Sequence, residues 1–561
     1  MNNPAFGLPL TLPSRQDQAF PRLTPEQIAR VEAHGQSRHV QAGELLVQAG
    51  EKTVRFFVVK SGQIELVRQS GPSETVIAVL GAGNFNGEAN MISGRRSLVS
   101  ARVKEPSEVI ELAREQMLML VQTDGELSGI LMRAFILRRV ELIARGLGDV
   151  VLVGSAHCSG TLRTKEFLTR NGHPYSYIDL DHDKDVQALL DHFHVTAADV
   201  PVLICRGDVV LRNPSNQEIA DCLGFNDAID ATKGRDLVII GAGPAGLAAA
   251  VYAASEGLDV LVVESNAPGG QAGASSRIEN YLGFPTGISG QDLAGRAYSQ
   301  AQKFGAELMI ATGATRLTCE RVPYGVEIGN GARIPARAVI IATGAQYCRP
   351  ELENLSQFEG AGIYYSATFM EAQVCGEEEV VVIGGGNSAG QAAVFLAQTA
   401  RRVHMLVRSA GLAESMSRYL IRRIEDNPKI ELRVHTELAG LEGNNHLERV
   451  QWKNNVSGEV EVHDIRHVFV MTGATPGTQW LNGCVAMDAK NFIKTGPDLS
   501  AEDLAEARWP LTRAPYLLET TLPGVFAVGD VRGGNVKRVA SAVGEGSIAI
   551  SFVHRVLAEG A

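Results

Sequence analysis

No run of about 18 consecutive apolar residues, the length a membrane-spanning helix needs, occurs in this chain. The start, Met1-Asn2-Asn3-Pro4, has no basic stretch leading into an apolar one, so no secretory leader and no membrane partner are expected, and the protein is read as cytoplasmic. Positive charge is also short. The formal net charge of −11 argues against a nucleic-acid partner. The seven cysteines are scattered and odd in number, which argues against a disulfide framework, and no two of them are spaced Cys-x-x-Cys. No metal site is expected. What is present is an ordinary soluble composition, 45% apolar and 20% charged, and the 561 residues suffice for roughly three or four domains with a core each.

The stretch from Asp236 to Gly246 is the most informative. Its apolar run reads as a buried parallel strand, after which Gly241, Gly243 and Gly246, with Pro244 and Ala245 between them, turn the chain tightly into a helix of small residues. Bare backbone there can approach a pyrophosphate, and the helix N-terminus offers unpaired N–H groups and the positive end of its dipole. A second apolar run, Val260 to Val263, ends at Glu264, where a carboxylate can accept hydrogen bonds from a ribose diol. Strand, glycines, helix, strand and acid in register predict a dinucleotide half-site.

Upstream, Thr24-Pro25-Glu26-Gln27 signals a short helix with Thr as N-cap. From Val40 to Leu112, short alternating strands are punctuated by Gly43, Gly50, Gly62, Gly71, Gly81, Gly83 and Gly87, which suggests a small antiparallel barrel or jelly roll. A helical stretch from Arg114 to about Arg145 follows. Gly43-Glu44-Leu45-Leu46, Phe57 to Gly62 and Phe85-Asn86-Gly87-Glu88 resemble the cyclic-nucleotide-binding domain, which implies a cyclic nucleotide as a partner. The arginine that pairs with the cyclic phosphate in that family falls here at Ser97 or Arg96, and a one-residue shift on a strand turns a side chain to the opposite face. Arg95 or Arg96 would then serve from the loop; alternatively the barrel is an interaction or dimerisation module.

A new domain is expected from Asp149. Val150 to Val153 reads as a buried strand, His157-Cys158-Ser159-Gly160-Thr161 leads into a helix, and Asp199-Val200-Pro201 enters another strand. This order resembles the thioredoxin/glutaredoxin fold, with Pro201 in its cis-proline position. A helix N-terminus favours the thiolate that attacks disulfides, which makes Cys158 the candidate catalytic residue. Thr161 stands where the resolving cysteine would be, so mixed disulfides, with glutathione for instance, are open to the domain and an internal disulfide within the motif is not. The alternative is a relic domain used for docking. Cys205 and Cys222 read as core residues.

Beyond the linker Asn226 to Arg235, Gly269-Gly270-Gln271, Ile278-Glu279-Asn280-Tyr281-Leu282-Gly283-Phe284-Pro285, Ala342-Thr343-Gly344-Ala345 and Gly524 to Asp530, with Gly529 next to last, resemble the low-molecular-weight thioredoxin reductase family. The resemblance implies FAD held without a covalent bond, Asp530 at its ribityl chain, Arg538, Val539 and Ala540 at the isoalloxazine, and a homodimer. A second dinucleotide unit lies inside it: the strand Glu379 to Ile383, the turn Gly384-Gly385-Gly386-Asn387-Ser388-Ala389, a helix from Ala392 to Ala400, and the strand Arg402 to Val407. That strand ends at Arg408, not at an acid, and a guanidinium suits the 2′-phosphate of NADPH. The family's basic pair is incomplete, because Ser409 follows; Arg422 and Arg423 read as a solvated helix face.

The main departure is Tyr365-Ser366-Ala367-Thr368-Phe369, which replaces the Cys-Ala-Thr-Cys pair of thioredoxin reductases and leaves neither sulfur. Cys375 reads as structural, and Cys348 as a weaker candidate for approaching the flavin. The expected fold is multidomain: a cyclic-nucleotide-binding-like β-barrel over 1–148, an α/β thioredoxin-like domain over 149–228, and two Rossmann-like domains, for FAD at 235–350 and 473–561 and for NAD(P)H at 351–472. The expected function is hydride transfer from NADPH to FAD and on to an acceptor, a redox partner protein or small disulfide, with Cys158 as a route. The alternatives are a thiol-independent reductase of ferredoxin, flavodoxin or quinones, and a slow redox or nucleotide sensor.

Overall fold

The computed structural model describes residues 15–559 apart from 53–54, 71–72, 146–147, 156–157, 182–198, 207–208, 321, 445 and 482, so Gly71 and His157 of the motifs above lie outside the described residues. The chain divides into two compact units. One comprises the residues up to Val150 with Pro174–Ser176 and Leu223–Ala228; the other comprises Val151–His173, Tyr177–Cys222 and Ile229 onward. Among the described residues no helix is long and apolar enough to cross a membrane.

In the first unit, the helix Pro25–Glu32 is held by a reciprocal cap between Thr24 and Gln27. The strands run in the order Gln36–Val40, Ser100–Leu112, Phe56–Ser70 and Ser73–Leu80, with Leu45–Val47 also on Ser100–Leu112. Phe56, Phe85 and Phe135 meet at centroid separations of 5.7–6.2 Å and fill the core. The single helix expected after Arg114 is two, Arg114–Thr123 and Gly125–Ala144, because Asp124 leaves the helical conformation and caps the second by accepting from the N–H groups of Glu126 and Leu127. Arg95 stacks on Phe225 at 3.9 Å from the ring centroid. Arg96 donates from Nε and Nη2 to one oxygen of Asp227, at 3.0 and 2.7 Å, and Lys52 reaches the same oxygen at 3.3 Å. Ser97 is buried, with its hydroxyl on the Val99 carbonyl. Both arginines considered for a cyclic phosphate are therefore engaged by the segment Leu223–Ala228.

In the second unit, one sheet runs Glu307–Met309, Val260–Val263, Arg235–Ile240, Arg333–Ile341, Tyr324–Ile328 and Ala314–Thr318, with Val525–Ala527 also on Arg333–Ile341. Strands 235–240, 260–263, 307–309, 333–341 and 525–527 are parallel, so their apolar side chains are buried on both faces, as the continuous hydrophobic runs predict. The buried Arg235 guanidinium pairs with Asp259 at 2.9 Å and Glu307 at 2.6 Å and pins the edge strand to the sheet. The second parallel sheet runs Ile363–Tyr364, His467–Val470, Glu379–Ile383, Arg402–Val407 and Ile430–Val434. Its first helix is Asn387–Leu396, five residues ahead of the expected Ala392 start, because Asn387 and Ser388 already form the first turn behind the Gly386 cap. A third sheet orders Ser176–Asp179, Val150–Gly154, Val202–Cys205 and Val209–Arg212, flanked by the helices Ser159–Arg170 and Asn216–Leu223, and the Val200–Pro201 peptide is cis.

Two cysteines that are 165 residues apart in sequence, Cys319 and Cys484, form a disulfide with Cα atoms 6.2 Å apart. Scattered spacing gave no hint of this pair, since the strand Ala314–Thr318 and the turn Gln479–Leu481 meet only by packing in the shared apolar core.

Candidate functional site

The predicted glycine turns converge on one cavity of about 1610 Å³. Gly241 has φ +105°, and a Cβ there would strike the Ala342 carbonyl, so the turn between strand and helix requires glycine. Gly243 caps the helix Pro244–Ser255 in an extended conformation, and a Cβ on it would meet nothing nearer than Gly270 Cα at 3.9 Å. Pro244 and Ala245 begin the helix and line the cavity beside it. Gly246 does not line it; a Cβ there would overlap the Gly241 carbonyl oxygen, so this glycine sets helix–strand packing.

Glu264 is buried, and its carboxylate accepts from the N–H of Ala242 at 2.7 Å and of Asn266 at 2.8 Å. Burial pushes its pKa up, against those two hydrogen bonds and the nearby Arg170 charge. The acid expected to face a ribose thus also ties the glycine turn to the loop that follows its own strand. Gly270, Gln271 and Asn280 line the same wall, as do Thr343 and Gly344. The Thr343 hydroxyl is buried with no hydrogen-bond partner among the described residues, and a Cβ on Gly344 would enter open space. Gly529 donates its N–H to Glu545 at 2.7 Å, and Asp530, Arg538, Val539 and Ala540 also line the cavity. Burial raises the Asp530 pKa, and Lys537 opposes it.

The second turn brings Gly386, Asn387 and Ser388 into the same cavity, and Asn387 Oδ1 accepts from the Ser417 N–H at 2.8 Å. Gly384, with φ +136°, packs against the Met471 carbonyl, and Ala389 is fully buried; both shape the turn without lining the cavity. Arg408 stands exposed at the end of the strand Arg402–Val407, outside the cavity wall and with no ion pair among the described residues. Arg422 and Arg423 lie on an exposed helix face as expected, and the exposed Arg423 also pairs with Glu279 at 2.5 Å.

Bare backbone at the two helix starts, open space at Gly243, Gly344 and Gly386, and an orphaned buried hydroxyl at Thr343 fit an FAD in one half and a nicotinamide dinucleotide in the other.

In the segment Tyr365–Phe369, Ser366 and Ala367 line the cavity together with Glu371. Glu371 is buried and accepts from the Thr368 N–H at 2.8 Å, from the Thr368 hydroxyl and from the Ser366 hydroxyl at 3.3 Å, and burial is the main cause of its raised pKa. The spacing from Thr368 to Glu371 is that of a capping box, a local signal by which this acid was findable. Cys375 is buried, with its pKa pushed up to about 12 by burial, which suits a structural thiol. Cys348 lies off the cavity wall, with Sγ 3.4 Å from Thr475 Oγ1.

Cys158 is the half-buried N-cap of the helix Ser159–Arg170, with Sγ 4.0 Å from the Val200 carbonyl. It does not line the cavity itself, but Ser159, Leu162, Arg163, Glu166 and Arg170 of its helix do. Ser159 packs on Gly360, where an added Cβ would lie 2.6 Å from the serine Cβ. No sequence pattern announces this wall, because it is made by tertiary contact between residues far apart in the chain.

Residues 235–546 match the pyridine nucleotide-disulphide oxidoreductase family, and residues 37–124 match the cyclic nucleotide-binding domain family. A thioredoxin reductase of Bacillus subtilis is 32% identical over 326 residues, covering 58% of this chain and 95% of the relative. One from Ureaplasma parvum is 31% identical over 318 residues, covering 56% and 95%. The solved thioredoxin reductase of Lactococcus lactis superposes with a TM-score of 0.52 at 26% identity, covering 58% of this chain and 99% of that one.

Proposed function

The chain belongs to the pyridine nucleotide-disulphide oxidoreductase family and is an NADPH-dependent flavoprotein oxidoreductase that uses FAD, and from this premise we propose that it delivers electrons through the Cys158 thiol to a disulfide, on a small molecule or a partner protein. The observation that carries the proposal is the placement of Ser159, the residue after Cys158, in the same cavity wall as Ser366 and Ala367. The Cys158 thiol thus stands one residue before this lining, on a helix that shares the cavity with the segment Tyr365–Phe369.

FAD, when bound, supplies a two-electron store between nicotinamide and acceptor. Gly241, Gly243 and Gly270 would expose backbone to its pyrophosphate, Glu264 would accept from its ribose, and Asp530 with Arg538-Val539-Ala540 would border the rest. Gly386, Asn387 and Ser388 would hold the phosphates of NADPH, and Arg408 at the end of its strand would pair with the 2′-phosphate. The net reaction consumes one NADPH and one proton and cleaves one S–S bond to two thiols. The layer containing Cys158 is thioredoxin-like in this reading, supported by its strand–helix–strand start and the later hairpin and helix. The N-terminal barrel acts as an interaction module in the cytoplasmic homodimer, since Arg95 and Arg96 are held by Phe225 and Asp227.

The test is NADPH-driven turnover with a disulfide and with ferricyanide or a quinone. Cys158→Ser should abolish disulfide turnover and leave bleaching of the flavin by NADPH intact. Disulfide turnover that survives the substitution rejects the Cys158 route. Fast quinone or ferredoxin reduction by both proteins, with no disulfide turnover in either, favours the thiol-independent reading that the missing sulfurs at Ser366 and Phe369 suggest.

A further inference from the structure

We propose that the helix Ser159–Arg170 and the start of the helix Asn216–Leu223 form a clasp on the adenosine end of FAD, with Arg170 as the positioning residue that fixes the loop Glu264–Gly270; the proposal rests on the assignment of the cavity to FAD. Five hydrogen bonds join this layer to the rest of the site, three of them on that loop. Arg170 Nη2 donates to the Gly270 carbonyl at 2.8 Å and to the Ala267 carbonyl at 3.4 Å, while Nη1 pairs with Glu166 at 3.2 Å. Asn216 Nδ2 donates to Asn266 Oδ1 at 2.9 Å. Gln291 donates to the Thr169 carbonyl at 3.0 Å, and the Thr312 hydroxyl donates to Gln217 Oε1 at 3.3 Å.

The loop these contacts grip carries the site's adenosine contacts. Glu264 begins it, and Gly270 faces Gly243 across the pyrophosphate turn. A peptide plane holds its C=O and the next N–H in opposite directions, so binding the Gly270 carbonyl to a guanidinium also fixes the direction of the Gln271 N–H. The Arg170 side chain is only 13% exposed, which shields these bonds from water. Its charge also draws the Glu264 carboxyl toward the ionised form that accepts from a ribose. An adenosine loop left to itself is a surface loop that opens readily; here a second folded layer closes over it. On this assignment the layer retains the flavin whether or not its thiol takes part in turnover.

The experiment follows release of FAD from the purified holoenzyme by the rise of free-flavin fluorescence. Arg170→Ala should release FAD about tenfold faster than wild type, Arg170→Lys at an intermediate rate, and Asn216→Ala about threefold faster. On deflavinated protein, Arg170→Ala should weaken ADP by a similar factor and leave riboflavin binding unchanged, a difference that general loosening of the fold would not produce. If Arg170→Ala fails to fold, Asn216→Ala, which lies outside the cavity wall, carries the test. Wild-type release rates in the folded variants, or equal losses for ADP and riboflavin, overturn the clasp. Wild-type protein that takes up no FAD overturns the cavity assignment and the clasp with it, before any variant is compared.

Discussion

Gly243→Ala and Gly246→Ala add the same methyl group to one turn, but their surroundings differ. At Gly243 the backbone is extended, with φ −70° and ψ −178°, a conformation open to any residue, and the nearest atom to the new Cβ is Gly270 Cα at 3.9 Å. The methyl group therefore costs the apoprotein almost nothing and fills the space that the pyrophosphate needs. Losing two charge-assisted hydrogen bonds at about 1.5 kcal/mol each removes about 3 kcal/mol of binding, or roughly 100-fold in FAD affinity. At Gly246 the methyl group meets the Gly241 carbonyl oxygen, a backbone atom held by the strand, and cannot be accommodated without moving the helix. Overpacking of this kind costs about 1–3 kcal/mol and lowers the midpoint of that domain by roughly 2–12 °C. The assay pairs FAD titration by fluorescence quenching with thermal unfolding of the apoproteins, since bound FAD would itself raise the midpoint. Tight FAD binding by Gly243→Ala, or an apoprotein midpoint lowered as much as that of Gly246→Ala, would refute the assignment of these glycines.

Arg408→Ala should weaken NADPH about tenfold and leave NADH nearly unchanged, with the difference shrinking at high salt because Arg408 is exposed; equal losses for the two coenzymes in steady-state kinetics reject its pairing with the 2′-phosphate. Glu371→Gln tests the buried acid by the pH dependence of stability. Its folded-state pKa is raised above 4.5, so the folded state binds the proton more tightly than the unfolded chain does. That contribution is fully present below the unfolded value and is lost as pH rises through the folded value. The variant should therefore gain on wild type in urea unfolding as pH rises above the ordinary carboxylate range, and a difference that stays constant with pH would show that Glu371 does not titrate as a buried acid.

The sequence by itself determined the two dinucleotide turns, from the first strand and Gly241, Gly243 and Glu264 to Gly386, Asn387 and Ser388. Close approach of backbone to a phosphate demands glycine and a helix start within a few residues, so the requirement is written locally. The Asp124 break was less legible, because the apolar period runs on through it and only the cap separates the two helices. Tertiary structure alone decided that Gly246, Gly384 and Ala389 serve packing, that Cys319 meets Cys484, and that Arg423 is held by Glu279. It alone also decided that the helix after Cys158 walls the cavity and that Arg170 grips the loop after Glu264. These outcomes depend on which surfaces meet after each layer has folded, and a contact between residues about 100 positions apart leaves no period, cap or spacing in the chain between them.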